Sequence, residues 1–345
     1  MKAVLRPPHT AHQARGVALL TALLVVAIVA IIAVGMASRQ QLDIRRTGNV
    51  FDGDQAYLYA LGVESWAQGV LRKDLQQDRR TNAVLDDLGE GWATVLPPID
   101  VEGGKVAGVI TDMQGRFNVN NLLPRIPADQ QGQPNPADPA DKDKAIFMHL
   151  LTTATEVNAD VATEMTEAVQ DWLDADDVRR LNGAEEVDYL RLTPPYRTAN
   201  ALLSSPSELL LIKGFTPQIY ALIAPSISTL PVITKINVNT ASAQVIKALA
   251  DGISSAQAEK AVADRKLRPF KNLQDFYTQL GANPQQQQVM ADKIGVASEY
   301  FLLSAHAETG RGQVQLYSLL GRRMPPPPAP QQVNVKVIMR GQGTY

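Results

Sequence analysis

Residues 17–37 read VALLTALLVVAIVAIIAVGMA, a run without any charge in which only Thr21 is clearly polar. At about 1.5 Å per residue, a helix of this length spans roughly 31 Å, which matches the hydrocarbon thickness of a bilayer. The alternative is a cleaved secretory signal with residues 35–37 as its small-residue cleavage site. Because the run is longer than the roughly 7–15 apolar residues usual in such a signal, we expect a membrane helix that is retained.

The junction in front of this run carries a more specific signal. A basic leader ends in Arg15-Gly16, and the apolar run begins at once with Val17. This arrangement resembles the leader of type IV pilins and their relatives, in which a prepilin peptidase cuts after the glycine on the cytoplasmic side. The resemblance implies cleavage between Gly16 and Val17. Major pilins carry glutamate at the fifth mature position, where this sequence has Thr21.

Beyond the membrane run, apolar residues keep helical spacing to about Leu75, which predicts one helix of some 59 residues. Strand-like sequence follows at 105–111 and 116–120, and the turn-forming residues between them predict a hairpin. Helical patterns then occupy most of the chain to about residue 293, and strand-like sequence returns at 299–308, 313–320 and 332–340. We therefore predict an α+β fold: a long N-terminal helix on a small antiparallel sheet, with an all-helical domain inserted between the strands.

Composition excludes several function classes. The 345 residues contain no cysteine and four histidines, and the formal net charge is −2. There is consequently no thiol nucleophile, disulfide scaffold or cysteine-ligated metal, and the chain as a whole lacks the basic balance of a nucleic-acid-binding protein. Because no nucleophile elbow, zinc-protease or phosphate-loop motif is present either, we do not expect an enzyme.

An acidic segment interrupts the helical block. Residues 171–188 read DWLDADDVRRLNGAEEVD, in which seven carboxylates face two arginines. Like charges at this density destabilise a fold unless something neutralises them, and calcium accepts six to eight oxygen ligands in irregular geometry. The alternative is a solvated acidic loop in which Asp171 or Asp174 caps a helix and the arginines pair locally.

Residues 236–276 resemble the helix-hairpin-helix modules of competence-type DNA receptors, with a weaker second copy at 206–229. Non-specific duplex binding would use Gly252 and the helix that follows it. However, the second glycine of the expected hairpin is missing, because Gly252 is followed by Ile253. Residues 235–293 also carry only eight basic residues against five acidic ones. We therefore expect a packing module and no nucleic-acid partner.

These features, in this order, resemble the minor pseudopilin K family of bacterial type II secretion systems. The leader ending at Gly16, Thr21 in place of glutamate, DWLDADD followed by GAEEVDYL, SELLLIKG and INVNTAS carry the resemblance over nearly the whole chain. It implies a type IV pilin-like fold with an inserted domain of two SAM-like or helix-hairpin-helix-like units. The predicted divisions are a leader at 1–16, a transmembrane helix at 17–37, pilin-like parts at 38–122 and 298–345, and the helical insertion at 123–297.

The resemblance also implies function. The subunit would lie at the tip of a periplasmic pseudopilus with minor pseudopilins I and J, prime fibre assembly and support export of folded proteins. It would cross the inner membrane once, with a cytoplasmic N-terminus and a periplasmic C-terminal domain. The family binds calcium in its helical domain, which implies one or two Ca²⁺ ions here. Matching of the motif assigns this role to six carboxylates: Asp171, Asp174, Asp176, Glu185, Glu186 and Asp188.

Two other functions remain as alternatives. One is a membrane-anchored DNA receptor of the competence type that uses residues 236–276, and a contiguous basic stripe on that module would favour it. The other is a metal-dependent hydrolase that uses the acidic segment, which would need a cleft with perturbed carboxylates beside the metal.

Overall fold

The computed structural model describes residues 13–81, 84–125, 138–323 and 333–343, with side chains from Val17 onward. The predicted leader lies almost entirely outside these residues. So do most of the proline-containing segment at 127–141 and the polyproline run at 325–328.

The helix α1 runs from Gln13 to Thr81, 69 residues in all, and is therefore about 100 Å long. It extends beyond the predicted helix at both ends. Within the described part of the chain, it is the one helix long and apolar enough to cross a membrane, and its most apolar stretch is fully exposed. The C-terminal half instead buries one face at helical spacing, as the small side chains of Ala56, Ala60 and Ala67 show.

This buried face lies on a five-stranded sheet of order β1-β2-β7-β8-β9 in which every neighbouring pair is antiparallel. The strands are β1 (Leu96–Val101), β2 (Gly104–Asp112), β7 (Tyr300–Thr309), β8 (Gly312–Arg323) and β9 (Asn334–Gln342). Trp92, Phe301 and Leu320 join the alanines of α1 in the core between helix and sheet. The predicted antiparallel sheet on the N-terminal helix is therefore confirmed.

Helices fill the sequence between β2 and β7, with a core of their own around Phe147, Trp172 and Phe276. The helices are α2 (Ala140–Ala154), α3 (Ala159–Leu173), α4 (Glu186–Tyr189), α5 (Pro217–Ile223), α6 (Ala243–Ala248), α7 (Ser255–Leu267), α8 (Leu273–Leu280) and α9 (Pro284–Met290). Two short parallel pairs accompany them: β3 (Phe117–Asn118) with β4 (Ile227–Ser228), and β5 (Ile236–Asn237) with β6 (Ile294–Gly295).

The predicted hairpin between residues 105–111 and 116–120 is wrong. β2 pairs with β1 and β7, whereas β3 leaves the sheet and pairs with β4. The reason is that the apolar side chain of Phe117 is buried in the helical core, stacked on Phe147 with the ring centroids 5.4 Å apart. The chain therefore passes into the helical region directly after Asp112.

A hydrogen-bonded cluster joins the helical region to the sheet where the chain enters and leaves it. The buried carboxylate of Asp112 accepts hydrogen bonds from the hydroxyls of Ser298 and Thr240 at 2.7 and 2.6 Å. The backbone N–H of Ser298 donates to Asp86 at 2.7 Å, and the amide of Asn237 bridges to Asp112 at 3.1 Å. These contacts fix the orientation of the helical region on the sheet.

Candidate functional site

The acidic segment begins on a helix that is anchored in the helical core. Asn158 caps the N-terminus of α3, since its side chain accepts the N–H of Val161, and Trp172 and Leu173 at the other end are buried. Asp171 lies on the same last turn and is itself fully buried. The first carboxylate of the segment is thereby held in a fixed position.

Arg180 supplies an internal cation to this segment. Its Nη1 donates to Asp171 Oδ1 and to Asp174 Oδ2, both at 2.7 Å, and its side chain is only 4% exposed. The backbone N–H of Arg180 also donates to Asp171, at 3.2 Å. Local pairing of an arginine therefore does occur here, and it satisfies Asp171 and one oxygen of Asp174.

Three buried carboxylate oxygens lack a side-chain donor among the described residues: Asp174 Oδ1 and both oxygens of Glu185, the latter facing only backbone N–H groups at the start of α4. Asp174, Asp176 and Glu185 can each place an oxygen within 4.8 Å of the others. Buried polar atoms are normally paired. A group of carboxylate oxygens that lacks side-chain donors is the arrangement a hard divalent cation completes, so the residues present fit such an ion.

The pKa values of Glu185 and Asp174 also indicate that these carboxylates have too little positive charge beside them. Burial, followed by the charges of Asp171 and Asp174, raises the pKa of Glu185 to about 8. Burial raises the pKa of Asp174 to about 7, against the opposing effect of Arg180. Both carboxylates are therefore poorly stabilised as anions by the chain itself, and a cation would favour their charged forms.

The other predicted ligands have different partners. The carboxylate of Glu186 lies 3.5 Å from Arg197, and that of Asp188 accepts the N–H of Glu185 at 3.1 Å. Asp171 is engaged by Arg180, as described above. The structure thus brings three of the six predicted residues together. A neighbour absent from the predicted set is Asp177, whose charge contributes to the raised pKa of Glu185.

A glycine determines how closely the segment folds back on α3. A Cβ atom on Gly183 would lie 2.0 Å from Asp171 Oδ2 and 3.2 Å from the carbonyl oxygen of Glu167. Real Cβ atoms do not approach other atoms so closely, so only glycine permits this contact. The Asn182-Gly183 turn of the sequence is therefore required for the geometry of the acidic segment.

A second acidic cluster lies where α1 meets the sheet, and the sequence gives no indication of it. Arg322 on β8 contacts Asp74 at 2.7 Å and Asp86 at 2.5 Å, and Glu90 lies beside them. Glu90 accepts the indole N–H of Trp92 at 2.7 Å. Because Arg322 already serves as the cation of this cluster, we assign it a structural role.

The helix-hairpin-helix-like region does not present the predicted phosphate contact. Gly252 has the left-handed φ of +76° expected in such a hairpin, but its backbone N–H donates to the carboxylate of Asp251 at 2.9 Å. Ser254 caps α7 by accepting the N–H of Gln257. The amide that would bind phosphate is therefore held by an acid, which disfavours the DNA receptor.

The residues of the predicted leader junction lie in α1. Gly16 and Val17 are helical, and Thr21 is exposed, with its hydroxyl donating to the carbonyl oxygen of Ala18 at 3.0 Å. This backbone contact satisfies the one polar side chain of the apolar run without any outside partner.

A long helix whose first half is apolar and exposed and whose second half packs on an antiparallel sheet defines a type IV pilin-like subunit, here with an inserted helical domain. Two family models for type II secretion system (T2SS) protein K match this chain, one at residues 115–232 and the other at 236–297. The chain belongs to this family, and it is a minor pseudopilin of a type II secretion system.

Relatives and a solved structure agree with this assignment. Type II secretion system protein K of Pseudomonas aeruginosa is 36% identical over 89% of this chain and 88% of its own length. That of Aeromonas hydrophila is 32% identical over 89% of this chain and 92% of its own. A chain in the crystal structure of the GspK-GspI-GspJ complex from enterotoxigenic Escherichia coli has the same fold, with a TM-score of 0.72. It is 22% identical to this chain, and the match covers 87% of this chain and 100% of that one.

Proposed function

We propose that this protein lies at the tip of the pseudopilus, where it primes fibre assembly with minor pseudopilins I and J and supports export of folded proteins across the outer membrane. Residues 17–37 would anchor it in the inner membrane, with the N-terminus in the cytoplasm and the sheet and helical region in the periplasm. The structurally similar chain is found in a complex with GspI and GspJ, which supports the choice of partners.

Thr21 is the observation that carries the tip assignment. In type IV pilins and the pseudopilins that carry it, the glutamate at mature position five pairs with the N-terminal amine of the subunit ahead in the fibre. A subunit with nothing ahead of it would leave that carboxylate unpaired in the bilayer, at a cost of about 3 kcal/mol. Thr21 avoids this cost, because its hydroxyl donates to the carbonyl oxygen of Ala18. The geometry therefore suits a subunit at the end of the fibre.

Processing by a prepilin peptidase follows from the same assignment. Cleavage between Gly16 and Val17 would leave α1 intact from the first apolar residue onward. Intact-mass measurement of the membrane-extracted protein, co-expressed with a prepilin peptidase, tests it. Loss of residues 1–16 is expected, and cleavage after Ala37 would contradict the pilin-type assignment.

The acidic segment would hold one Ca²⁺ ion. Asp174, Asp176 and Glu185 would supply carboxylate oxygens, of which three are buried without a side-chain donor among the described residues. The ion would neutralise these groups and tie the segment to α3, which stabilises the helical domain. Asp171 would act indirectly, by holding Arg180, whereas Glu186 and Asp188 would stay with their present partners.

The alternatives have weaker support. The DNA receptor would need the Gly252 amide, which donates to Asp251. A hydrolase would need a cleft beside the acidic segment, whereas three cavities among the described residues are lined by residues outside that segment. We therefore propose a structural subunit with no catalytic role.

Co-purification tests the central proposal. The full chain, extracted in detergent, should form a stable complex with the mature pseudopilins I and J of its own system, and a Thr21→Glu variant should enter the fibre at positions other than the tip. Failure to bind either partner, or wild-type protein distributed along the fibre in labelled preparations, would overturn the tip assignment.

A further inference from the structure

The end of α7 and the loop after it, residues 265–271, form a surface that the proposed function leaves unused. The sequence RKLRPFK contains four cations: Arg265, Lys266, Arg268 and Lys271. The two carboxylates nearest in sequence have other partners. Asp264 pairs with Lys260 at 2.9 Å, and Asp275 accepts the backbone N–H of Lys271 at 3.2 Å. Among the described residues, none of the four cationic side chains forms an ion pair, although Asp264 and Asp275 also line the cavity beside Arg268.

Arg265 is the unusual member of this group. Arg265 is 7% exposed, yet its guanidinium has no carboxylate partner among the described residues, and its Nη1 donates to the carbonyl oxygen of Val238 at 2.7 Å. Its Nε is buried and has no acceptor within the part of the chain that the structure describes. Burial alone lowers the pKa of this guanidinium to about 10. A buried cation normally has an anion beside it, so the counter-ion of Arg265 is missing from this part of the chain.

A cavity gives outside groups access to Arg265. Its volume is about 410 Å³, and Arg265 and Lys266 form one wall, facing the turn at residues 87–90. The two carboxylates of that turn are engaged within it. Asp87 accepts the N–H of Gly89 at 2.6 Å, and Glu90 accepts Trp92 at 2.7 Å. Neither forms an ion pair with Arg265, and burial raises the pKa of Glu90 to about 8. Near neutral pH, Arg265 and Lys266 therefore outweigh the charge of Asp87 in this cavity, which leaves it able to receive an anionic group from another molecule.

An apolar side chain lies next to these cations. Leu267 is 89% exposed, which is the highest value among the large apolar residues of the described chain, and it borders a second cavity of about 310 Å³ together with Arg268. A leucine beside cations offers an apolar contact that a side chain of a protein partner can use and a phosphate backbone cannot.

We propose that residues 265–271 dock an acidic, partly apolar segment of a partner polypeptide, whose carboxylate enters the cavity beside Arg265 and whose apolar side chain covers Leu267. The charge of the loop selects an acidic occupant. The leucine selects a polypeptide. The site lies at the C-terminal end of α7, away from the hairpin at Gly252, so it is independent of the rejected DNA-binding geometry.

Fluorescence anisotropy with the detergent-solubilised full chain tests this proposal. The probe is a short fluorescein-labelled peptide of glutamate and leucine, compared with the same peptide carrying glutamine for glutamate and with labelled duplex DNA. We expect binding of the acidic peptide alone. Arg265→Gln should weaken it about tenfold, which corresponds to about 1.4 kcal/mol, and Leu267→Ser about fivefold.

Matched variants separate docking from folding and from general charge. Leu267→Ser changes a side chain that is 89% exposed and should leave the melting temperature unchanged. Lys260→Gln removes one positive charge from the same helix, where Lys260 is already paired with Asp264, and should leave peptide affinity within about twofold. Lys266→Gln, in the wall of the cavity, should weaken peptide binding more than Lys260→Gln does. Equal losses of affinity in these two variants would overturn the proposal. Absence of peptide binding, or tighter binding of the DNA than of the peptide, would also overturn it.

Discussion

Arg180 lies 2.7 Å from Asp174, with its Nη1 on Oδ2, while the second carboxylate oxygen of Asp174 is buried and without a partner among the described residues. Arg180 therefore pairs with Asp171 and with one oxygen of Asp174. The third buried carboxylate, that of Glu185, has no cation of its own among the described residues. This relationship supports the proposed calcium site, in which a divalent ion would act beside Arg180.

The first prediction concerns Glu185→Gln. Glutamine keeps the shape of the side chain but removes the charge, so the calcium-dependent rise in melting temperature should disappear. In the unchanged protein, calcium at 100 times its dissociation constant should stabilise the fold by about 2.7 kcal/mol. The matched control is Glu186→Gln, whose carboxylate lies 3.5 Å from Arg197. An equal calcium response in both variants would contradict the proposed ligand set.

The second prediction concerns Gly183→Ala. The added Cβ would meet Asp171 Oδ2 at 2.0 Å, so Asp171 would have to move away from Arg180. We expect the free energy of unfolding to fall by about 3 kcal/mol and the calcium response to disappear. Gly69→Ala is the control, because a Cβ there meets no atom within 4 Å and alanine favours a helix by up to about 1 kcal/mol. Urea unfolding with and without calcium measures both.

The sequence predicts those parts of the fold that depend on neighbouring residues. The apolar run and the helical spacing of α1 are local, and so are the caps and patterns of α3, α7 and α8. The strand β1 is absent from the predicted elements. Pro97 and Pro98 disfavour a central strand, and the structure places them in an edge strand, which tolerates proline. The wrong hairpin has a similar cause. The side chain of Phe117 packs on Phe147 in the helical core, which is distant in sequence, and so draws residues 117–118 away from β2.

The two acidic sites differ in the same way, since one is formed by residues close in sequence and the other by residues far apart. The acidic segment is readable because its carboxylates lie within residues 171–188. The roles of the individual carboxylates cannot be read from the sequence, because they depend on which of them the side chain of Arg180 contacts. The cluster around Arg322 is invisible in the sequence, since Asp74 and Arg322 are 248 positions apart and only the packing of α1 on β8 brings them together.

The third prediction is a pH dependence that arises at Glu90. Burial, together with the charges of Asp74 and Asp86, raises the pKa of Glu90 to about 8 in the folded protein, against 4.5 as its ordinary value. The folded state therefore holds a proton that the unfolded state has released. Stability from this group is full below about pH 4.5 and is lost as the pH rises through about 8.

Glu90→Gln should remove this part of the pH dependence. The variant should melt at a higher temperature than the unchanged protein near pH 8 and close to the same temperature near pH 4.5, as circular dichroism at a series of pH values would show. Asp74 titrates in the same direction, with its pKa raised to about 6 mainly by burial, so a shallower slope should remain. Glu102→Gln, at an exposed turn, is the control, and an equal change there would argue against the assignment.

The last prediction compares two adjacent arginines at the end of β8. Arg322 is buried, contacts Asp74 at 2.7 Å and lies 4.7 Å from the ring centroid of Phe301, whereas Arg323 is 54% exposed. Arg322→Met fills a similar volume but leaves buried carboxylates without their cation, which should cost about 3–5 kcal/mol in the free energy of unfolding. Arg323→Gln removes an exposed ion pair with Glu299 and should cost less than about 1 kcal/mol. Urea unfolding of both variants gives the comparison. Equal losses would mean that Arg322 does not hold α1 on the sheet, whereas a large loss confined to Arg322→Met would show that this buried ion pair fixes the long helix to the rest of the subunit.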